Sequence, residues 1–475
     1  MEHFKVDFLK ESADIPPKGP NRLFKNIVKT LFYTMLFLIV GGLVFSYRIA
    51  TSGTSLSKHN GGTSLFTQVK YFIGFGGDEL AGEDSDRINI LLMGIGGVGH
   101  EGPNLTDTII LVSVNPSDNK VALISIPRDL IVWQGKFGWR KINNANAFGE
   151  AMQSGNGGAF ASDIISKTFN IPIPYYIKID FEGLTSIVDT LGGLTIDVER
   201  SFSDSSYPTD DLLTRTVSFK AGRQVMDGET VLEYVRSRHG TNGEGSDFAR
   251  GRRQQKVLEG LKSQALSLGI LLNPSKINSL LKTIEANVET NLKDWEIARL
   301  AGMIKDMANN KTVNLVLDDS PEGLLTSSIS EEGAYILSPR SGSFSEISYR
   351  INYIFTPENE RPQPVKIAVK NGTLITGLAA KAAEKLEEKN YFITQVANAS
   401  KKDWEQTTIY KLTGNATSED IRYLEEFFGG AVSVGAPQWV TVAQDTQSLG
   451  TSTDSIPPSD ILIILGKNAD EKLAL

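Results

Sequence analysis

The stretch EYVRSRHGTNGEGSDFARGRRQQ places five arginines (Arg236, Arg238, Arg250, Arg252, Arg253) among three acids (Glu233, Glu244, Asp247) between Glu233 and Arg253. Arg236 and Arg238 are two apart on what reads as an extended segment, which points them to one face. Arg250, Arg253 and Gln254, at i, i+3 and i+4, share one side of the helix expected to follow. The glycine-rich loop between lets the two groups converge. A guanidinium fork matches two phosphate oxygens at once, each charge-assisted bond contributing roughly 1.5–3 kcal/mol. The same residues read equally well as an ion-pair network with acids such as Asp129 or Asp180, beside a solvated helix face. Two strand ends extend the set: Thr106-Asp107-Thr108 opens one strand, SIPRDL puts Arg128 at the end of the next, and KINNANAF adds Lys141, Asn143 and Asn146. A carboxylate beside arginines and a lysine suits a magnesium-bridged diphosphate, in which the metal takes hard oxygen ligands and the cations hold the remaining charge.

A second stretch, Gly94-Ile-Gly-Gly-Val-Gly99, spells G-x-G-x-x-G after an apolar run. A dinucleotide site needs a helix to follow, with its N-terminus at the pyrophosphate. Here His-Glu-Gly102-Pro103-Asn follows, then TDTIILVSVN, which reads as another strand. The glycines are therefore expected to bend backbone at a strand tip.

The elements that must position these residues alternate between strand and helix. Short branched runs (INILLM, TIILVSVN, KVALISIP, PYYIKID, LTIDV) are separated by helical stretches; Phe181–Leu191 reads as a helix stopped by Gly192-Gly193, and Asp247 as the N-cap of a long helix to Leu268. TPENERPQP (356–364) is a proline-rich spacer. Beyond it VKIAVKNGT, ITGLAAKAAEKLEEK, YFITQVANAS, TTIYKL, SEDIRYLEEFFGG and DILIILG form a small β-α-β-β-α-β domain. Near the N-terminus, Leu31–Tyr47 carries no charge, and Ile27–Ala50 approaches the roughly 20 residues that a bilayer span needs. Lys18, Arg22, Lys25 and Lys29 precede the uncharged run and Arg48 and Lys58 follow, so the N-terminus is expected to be cytoplasmic and the rest extracytoplasmic. Leu65–Phe75 reads as a membrane-proximal helix.

Composition narrows the chemistry. With no cysteine and four histidines among 475 residues, disulfides, thiolate zinc sites and cysteine nucleophiles are excluded, and a multi-histidine metal centre nearly so. A net charge of −8 offers nothing to nucleic acid, and no basic helix-turn-helix appears.

LTDTIILVSVNP, VALISIPRDL, KINNANAFG, VDTLGGLTIDV and YVRSRH…DFARGRRQQ stand in the order and spacing of the LytR–CpsA–Psr (LCP) family, which residues 87–316 resemble. Residues 365–466 resemble the LytR C-terminal domain. The resemblance implies an α/β fold with an LCP-type central mixed β-sheet flanked by helices, preceded by one transmembrane helix and followed by a small α/β domain. The expected layout is a cytoplasmic tail (1–26), a transmembrane helix (27–50), a linker (51–86), the catalytic domain (87–320), a connecting segment (321–364) and the C-terminal domain (365–470). The implied activity is a Mg²⁺-dependent phosphotransferase that moves a glycopolymer from a polyprenyl-pyrophosphate carrier to peptidoglycan, forming a phosphodiester. By the family's pattern Asp107, Arg128 and Arg250 are catalytic. Arg128, Lys141, Arg236, Arg238, Arg250, Arg253 and Gln254 bind pyrophosphate, and Asp107 is a metal ligand. An apolar tunnel for the polyprenyl chain would draw on Phe148, Ile164, Phe169, Phe181, Leu184 and Ile187. Relatives often carry an aspartate where this chain has Gly96 and an arginine where it has Leu105; of His100, Glu101 and Asn104, Glu101 is the expected substitute metal ligand. These two departures keep open a non-catalytic scaffold for lipid-linked polymer, and the same site with water as acceptor would be a polyprenyl-pyrophosphate phosphatase.

Overall fold

The computed structural model describes residues 78–473 apart from 210–212, 272, 308–311, 390 and 444–454. The expected tail, membrane helix, membrane-proximal helix and most of the linker lie outside the described residues. Among the described residues no helix is long and apolar enough to cross a membrane.

The first domain runs β1 (Ile88–Ile95), β2 (Thr106–Asn115), β3 (Lys120–Ser125), β4 (Ile131–Trp133), β5 (Trp139–Lys141), α1 (Asn144–Met152), α2 (Gly157–Phe169), β6 (Tyr175–Ile179), α3 (Phe181–Leu191), β7 (Leu194–Val198), β8 (Phe202–Pro208), β9 (Thr214–Phe219) and β10 (Gly222–Met226). It continues with α4 (Gly228–Arg236), α5 (Asp247–Ala265), α6 (Pro274–Asn287), β11 (Val288–Thr290), α7 (Asp294–Asp306), β12 (Thr312–Val316), β13 (Leu325–Ile329), β14 (Tyr335–Pro339) and α8 (Ser345–Asn352). Six strands form a mixed sheet in the order β11-β6-β1-β2-β3-β12. The β1–β2 and β2–β3 pairs are antiparallel, while β1–β6 and β3–β12 are parallel.

Alternation along the strands sends side chains to two cores. Leu91, Met93, Ile109, Leu111 and Ile124 pack with Ile164, Ile165 and Phe169 of α2, whereas Ile88 and Ile90 pack with Leu300 of α7. Each such side chain, once fully buried, contributes roughly 1.5–3 kcal/mol. A third cluster joins α3, β7 and α5 through Val188, Leu191, Leu194, Ile196 and Val257. Asp180 caps α3 by accepting the Gly183 N–H at 2.8 Å, and Gly192 (φ +82°) and Gly193 (φ +92°) end it in the left-handed region that favours glycine. At α5 the cap is Ser246, whose hydroxyl accepts the Ala249 N–H; Asp247, expected there, is released to face arginines.

The segment 321–352, read from sequence as part of a connection, belongs to the first core. Leu325, Leu337, Ile347 and Ile351 are buried in it, and the Leu337 N–H donates to the Asp129 carbonyl. The C-terminal domain comprises β15 (Lys366–Asn371), α9 (Leu378–Glu387), β16 (Phe392–Asn398), β17 (Thr408–Lys411), α10 (Ser418–Phe428), β18 (Ala431–Val434), the short pair β19 (Thr441–Val442) and β20 (Ser455–Ile456), and β21 (Ile461–Leu465). Its sheet order is β16-β15-β21-β17-β18. The expected pattern is present with β18 added at the edge, where Val434 stays exposed and so gave no alternating apolar signal. The β16 edge is covered: the Val396 N–H donates to the Ser341 carbonyl at 2.8 Å, and Phe392 meets Tyr349 of α8 edge-on.

Because Ile351 is fully buried, Ile351→Ala is expected to destabilise the first domain by about 2–5 kcal/mol in chemical denaturation. A chain ended at residue 320 should be degraded in limited proteolysis where one ended at 356 resists.

Candidate functional site

The glycine run sits between two antiparallel strands. Gly94 lies opposite Thr108, a register shift follows at Gly94/Ile95, and the Gly97 N–H closes the loop on the Pro103 carbonyl at 3.1 Å. The element that follows the loop is β2 and not a helix, so the dinucleotide reading fails on topology. A Cβ at Gly94 would stand 3.0 Å from the Thr108 Cβ, and Gly97 (φ +83°) lies against Asp180. The glycines let the β1 tip pass close to β2 and α3.

Beside that tip is a cavity of about 320 Å³. Its lining combines polar and charged residues (Asp107, Thr108, Arg236, Arg238, His239, Arg250 and Gln254) with apolar ones (Ile179, Phe181, Leu184, Pro208, Leu232 and Val235). β2 supplies Asp107 and Thr108, the end of α4 supplies Arg236, the segment after it Arg238, and the first turns of α5 Arg250 and Gln254.

The arginines converge on shared carboxylates. Asp247 stands 3.3 Å from Arg238 Nε, 3.3 Å from Arg250 Nη1 and 3.8 Å from Arg128 Nε. Arg128 donates through Nη1 to Asp107 at 2.5 Å, and Arg250 through Nη2 to the Asp107 carbonyl at 3.2 Å. Gln254 donates to the Thr108 hydroxyl at 2.7 Å, tying α5 to β2. Burial, reinforced by Arg238 and Arg128, pushes the Arg250 guanidinium down to about 10, which still leaves it charged at neutral pH. Four buried donors have no hydrogen-bond acceptor: Arg128 Nε, Arg238 Nε and Nη2, and Arg250 Nε. Buried N–H groups are rarely left so, because each forfeits its hydration. Asp180 and Asp204 also border the cavity; both oxygens of Asp204 accept from backbone N–H groups of Ser206, Arg238 and His239, while Asp180 gives one oxygen to the Gly183 N–H.

Of the other expected residues, Arg128, Lys141, Arg253 and Glu101 are not among those that line the cavity. Arg253 points away from the cavity and is 2% exposed: it donates to the Tyr234, Ser237 and Glu244 carbonyls and to the Glu244 carboxylate at 2.6 Å. It is a strut for the 237–247 loop rather than a phosphate ligand. The i, i+3 spacing from Arg250 turned it about 60° around the helix, enough to face inward. Lys141 pairs with Asp129 at 2.6 Å and lies outside the cavity lining, joined to the cluster because Asp129 also faces Arg128 at 3.5 Å. Arg236 donates to the Tyr207 hydroxyl and stacks 4.3 Å from the Phe181 ring centroid. Glu101 is exposed on the glycine loop and does not line the cavity. Among the described residues no group of three or more His, Asp or Glu side chains converges. Asp107, whose second oxygen no described side chain engages, fits a magnesium ion completed by phosphate oxygens rather than an all-protein cage. Of the expected tunnel residues, Phe181 and Leu184 reach the cavity. Ile164 and Phe169 are core, Ile187 packs against the α3–β7–α5 cluster, and Phe148 stacks on Phe137 at 4.1 Å.

Two site residues escaped the sequence. Asp247 was read as a cap, although its i, i+3 spacing to Arg250 was visible. Asp204, in the unremarkable run SFSDSSY, gave no signal. It is 1% exposed and accepts from the Ser237 hydroxyl and the Arg238 and His239 N–H groups, which holds the arginine segment in place. Burial alone would raise its pKa, but these bonds outweigh it and hold the carboxyl at about 2. A depressed carboxyl stabilises the fold above its unfolded value and loses that contribution as pH falls through the folded one. Asp204→Asn should therefore lower stability at neutral pH by about 2 kcal/mol. Denaturation at a series of pH values should show the gap to the wild type narrowing below pH 4 and closing near 2.

The family models agree with this division. The LytR_cpsA_psr family model matches residues 48–351, and the model described as LytR cell envelope-related transcriptional attenuator matches 364–468. The polyisoprenyl-teichoic acid–peptidoglycan teichoic acid transferase TagU of Oceanobacillus iheyensis is 31% identical over 235 residues, covering 48% of this chain and 67% of that protein. Its namesake in Enterococcus faecalis is 33% identical over 224 residues, covering 46% and 66%. The match thus spans about two thirds of each relative. The crystal structure of Bacillus subtilis TagV superposes at a TM-score of 0.44 with 25% identity, covering 57% of this chain and 99% of that one, too loosely to build on. With its mixed sheet, its arginine cluster and a family model spanning residues 48–351, the chain belongs to the LytR_cpsA_psr family.

Proposed function

We propose that this protein is a membrane-anchored, extracytoplasmic phosphotransferase that moves a glycopolymer from a polyprenyl-pyrophosphate carrier to peptidoglycan. One observation carries the reading: Arg128, Arg238 and Arg250 gather on one carboxylate with unsatisfied N–H donors, beside a cavity whose lining has both charged and apolar residues. A diphosphate joined to a hydrocarbon has the same two characters. The cavity is near the lower end of the roughly 300–1,000 Å³ usual for small-molecule sites, so it suits the diphosphate and the first carbons of the chain. The names of the curated relatives point to the same donor and acceptor classes. Anchoring rests on the uncharged run Leu31–Tyr47 and the basic residues before it.

In the reaction an acceptor sugar hydroxyl attacks the phosphorus that carries the glycopolymer. A new P–O bond forms, the bond to the polyprenyl-phosphate oxygen breaks, and that group leaves with its own charge. Arg238 and Arg250 hold non-bridging oxygens as charge builds there, and fixed guanidiniums do so without reorganising. Arg236, braced on Phe181, sets a charged group of the lining against an apolar one. Asp107, oriented by its bond from Arg128, is the carboxylate placed to take the hydroxyl proton where its second oxygen is not committed to metal. Mg²⁺ held by Asp107 and the diphosphate would supply further charge neutralisation. Neither Gly96 nor Leu105 removes a member of this cluster.

The test is incubation of the protein with Mg²⁺, a lipid-pyrophosphate glycan and peptidoglycan fragments. Covalent glycan–peptidoglycan product is expected, falling at least about 100-fold in Arg250→Ala and in Asp107→Ala and little in the exposed Arg252→Ala. Chelation should abolish product and added Mg²⁺ restore it. Donor binding without product would establish the scaffold, and free phosphorylated glycan the phosphatase.

A further inference from the structure

The hairpin β4–β5 projects from the rim of the site. Its foot is held there: the Asn143 N–H donates to the Arg128 carbonyl, and the Thr106 N–H to the Asn143 carbonyl. Along it, Val132 and Ile142 point inward and are buried, as alternation requires. The outward positions should then be polar. Instead Trp133 and Trp139, paired across the two strands, are 55% and 54% exposed, their rings 6.0 Å apart. Phe137 at the turn goes inward, stacking on Phe148, so the tip is braced on α1 and the indoles are held outward.

The remaining exposed side chains at the tip are Lys136 and Arg140. Gln134 is fully buried and spent on the Lys141 carbonyl. From Trp133 to Arg140 there is no carboxylate and no hydroxyl side chain; the two indoles share one face, Lys136 is exposed at the turn, and Arg140, paired with the buried Val132, is exposed from the opposite face, on a chain whose net charge is −8. A sugar-binding platform needs exposed side-chain acceptors for hydroxyl protons as well as rings, and no exposed side chain from Trp133 to Arg140 is an acceptor. An anionic bilayer surface needs what is present, indoles that settle at the headgroup level and cations for lipid phosphates.

We infer that the Trp133/Trp139 hairpin tip is an interfacial contact that seats the first domain against an anionic lipid surface. The contact is independent of the N-terminal apolar run and stands whether or not the transfer reaction is the right one. Held so, the cavity rim faces the bilayer from which a lipid-linked ligand would come.

The experiment uses the full chain in nanodiscs of phosphatidylglycerol with brominated acyl chains, which quench tryptophan emission on contact. Two of the five tryptophans lie in the tip, so quenching should remove up to about two fifths of the emission. It should disappear in Trp133→Phe/Trp139→Phe and fall by about half or more in Lys136→Glu/Arg140→Glu or in phosphatidylcholine. Each substitution is at an exposed position, and circular dichroism confirms that the variants fold. Undiminished emission in brominated lipid overturns the inference, as does equal quenching in the double tryptophan variant. Emission that responds to soluble peptidoglycan strands and not to lipid overturns it in favour of a sugar surface.

Discussion

Three guanidiniums share the Asp247 carboxylate, and the rest of the site follows from keeping them there. Like charges brought together in a partly buried place repel, and burial withdraws the water that would screen them. The lowering of Arg250 to about 10 expresses both costs. One carboxylate at 3.3–3.8 Å from each partner offsets part of the repulsion but cannot satisfy every N–H. The unused donors are what an anion with several oxygens would complete.

Holding that arrangement requires supports outside the cavity. Asp204 binds the backbone at Arg238 and His239, and Arg253 with Glu244 closes the loop from behind, so Arg236 and Arg238 emerge from a segment fixed on two sides. Helix α5, which carries Arg250, is pressed onto the sheet. Gln255 donates to the Leu123 and Leu315 carbonyls and the Ser125 hydroxyl, and Gly251 allows the helix to lie against Ser125. An arginine that looks like a ligand from its spacing is here a strut, because its donors are taken by the Tyr234, Ser237 and Glu244 carbonyls and the Glu244 carboxylate.

The same sheet that brings the arginines together decides the fate of the glycine run. Because β1 and β2 are antiparallel neighbours, the loop between them returns directly into a strand and not into the helix that a dinucleotide fingerprint requires. Sequence could reject that motif from what followed it. It could not say that Gly94 stands against Thr108, because that contact depends on register.

By itself, the sequence did not show the hairpins β4–β5, β8–β9 and β13–β14, but it determined the strands β1, β2, β3, β6 and β7, the α3 stop at Gly192-Gly193, the spacer before the C-terminal domain and the residue types gathered near Arg236–Gln254. These are local matters of periodicity, capping and turn chemistry, readable within a window of a few residues. Long-range placement was decided only in the tertiary structure. Asp247 left its cap to face three arginines, Arg253 turned inward while Arg250 did not, Lys141 was taken by Asp129, and 321–352 folded into the first core. Each outcome depends on which groups from distant segments compete for the same partner, and on which side of a helix or strand the core lies. Asp204 is the clearest instance, since a carboxylate acquires its role only when the amides 34 and 35 residues away are brought to it.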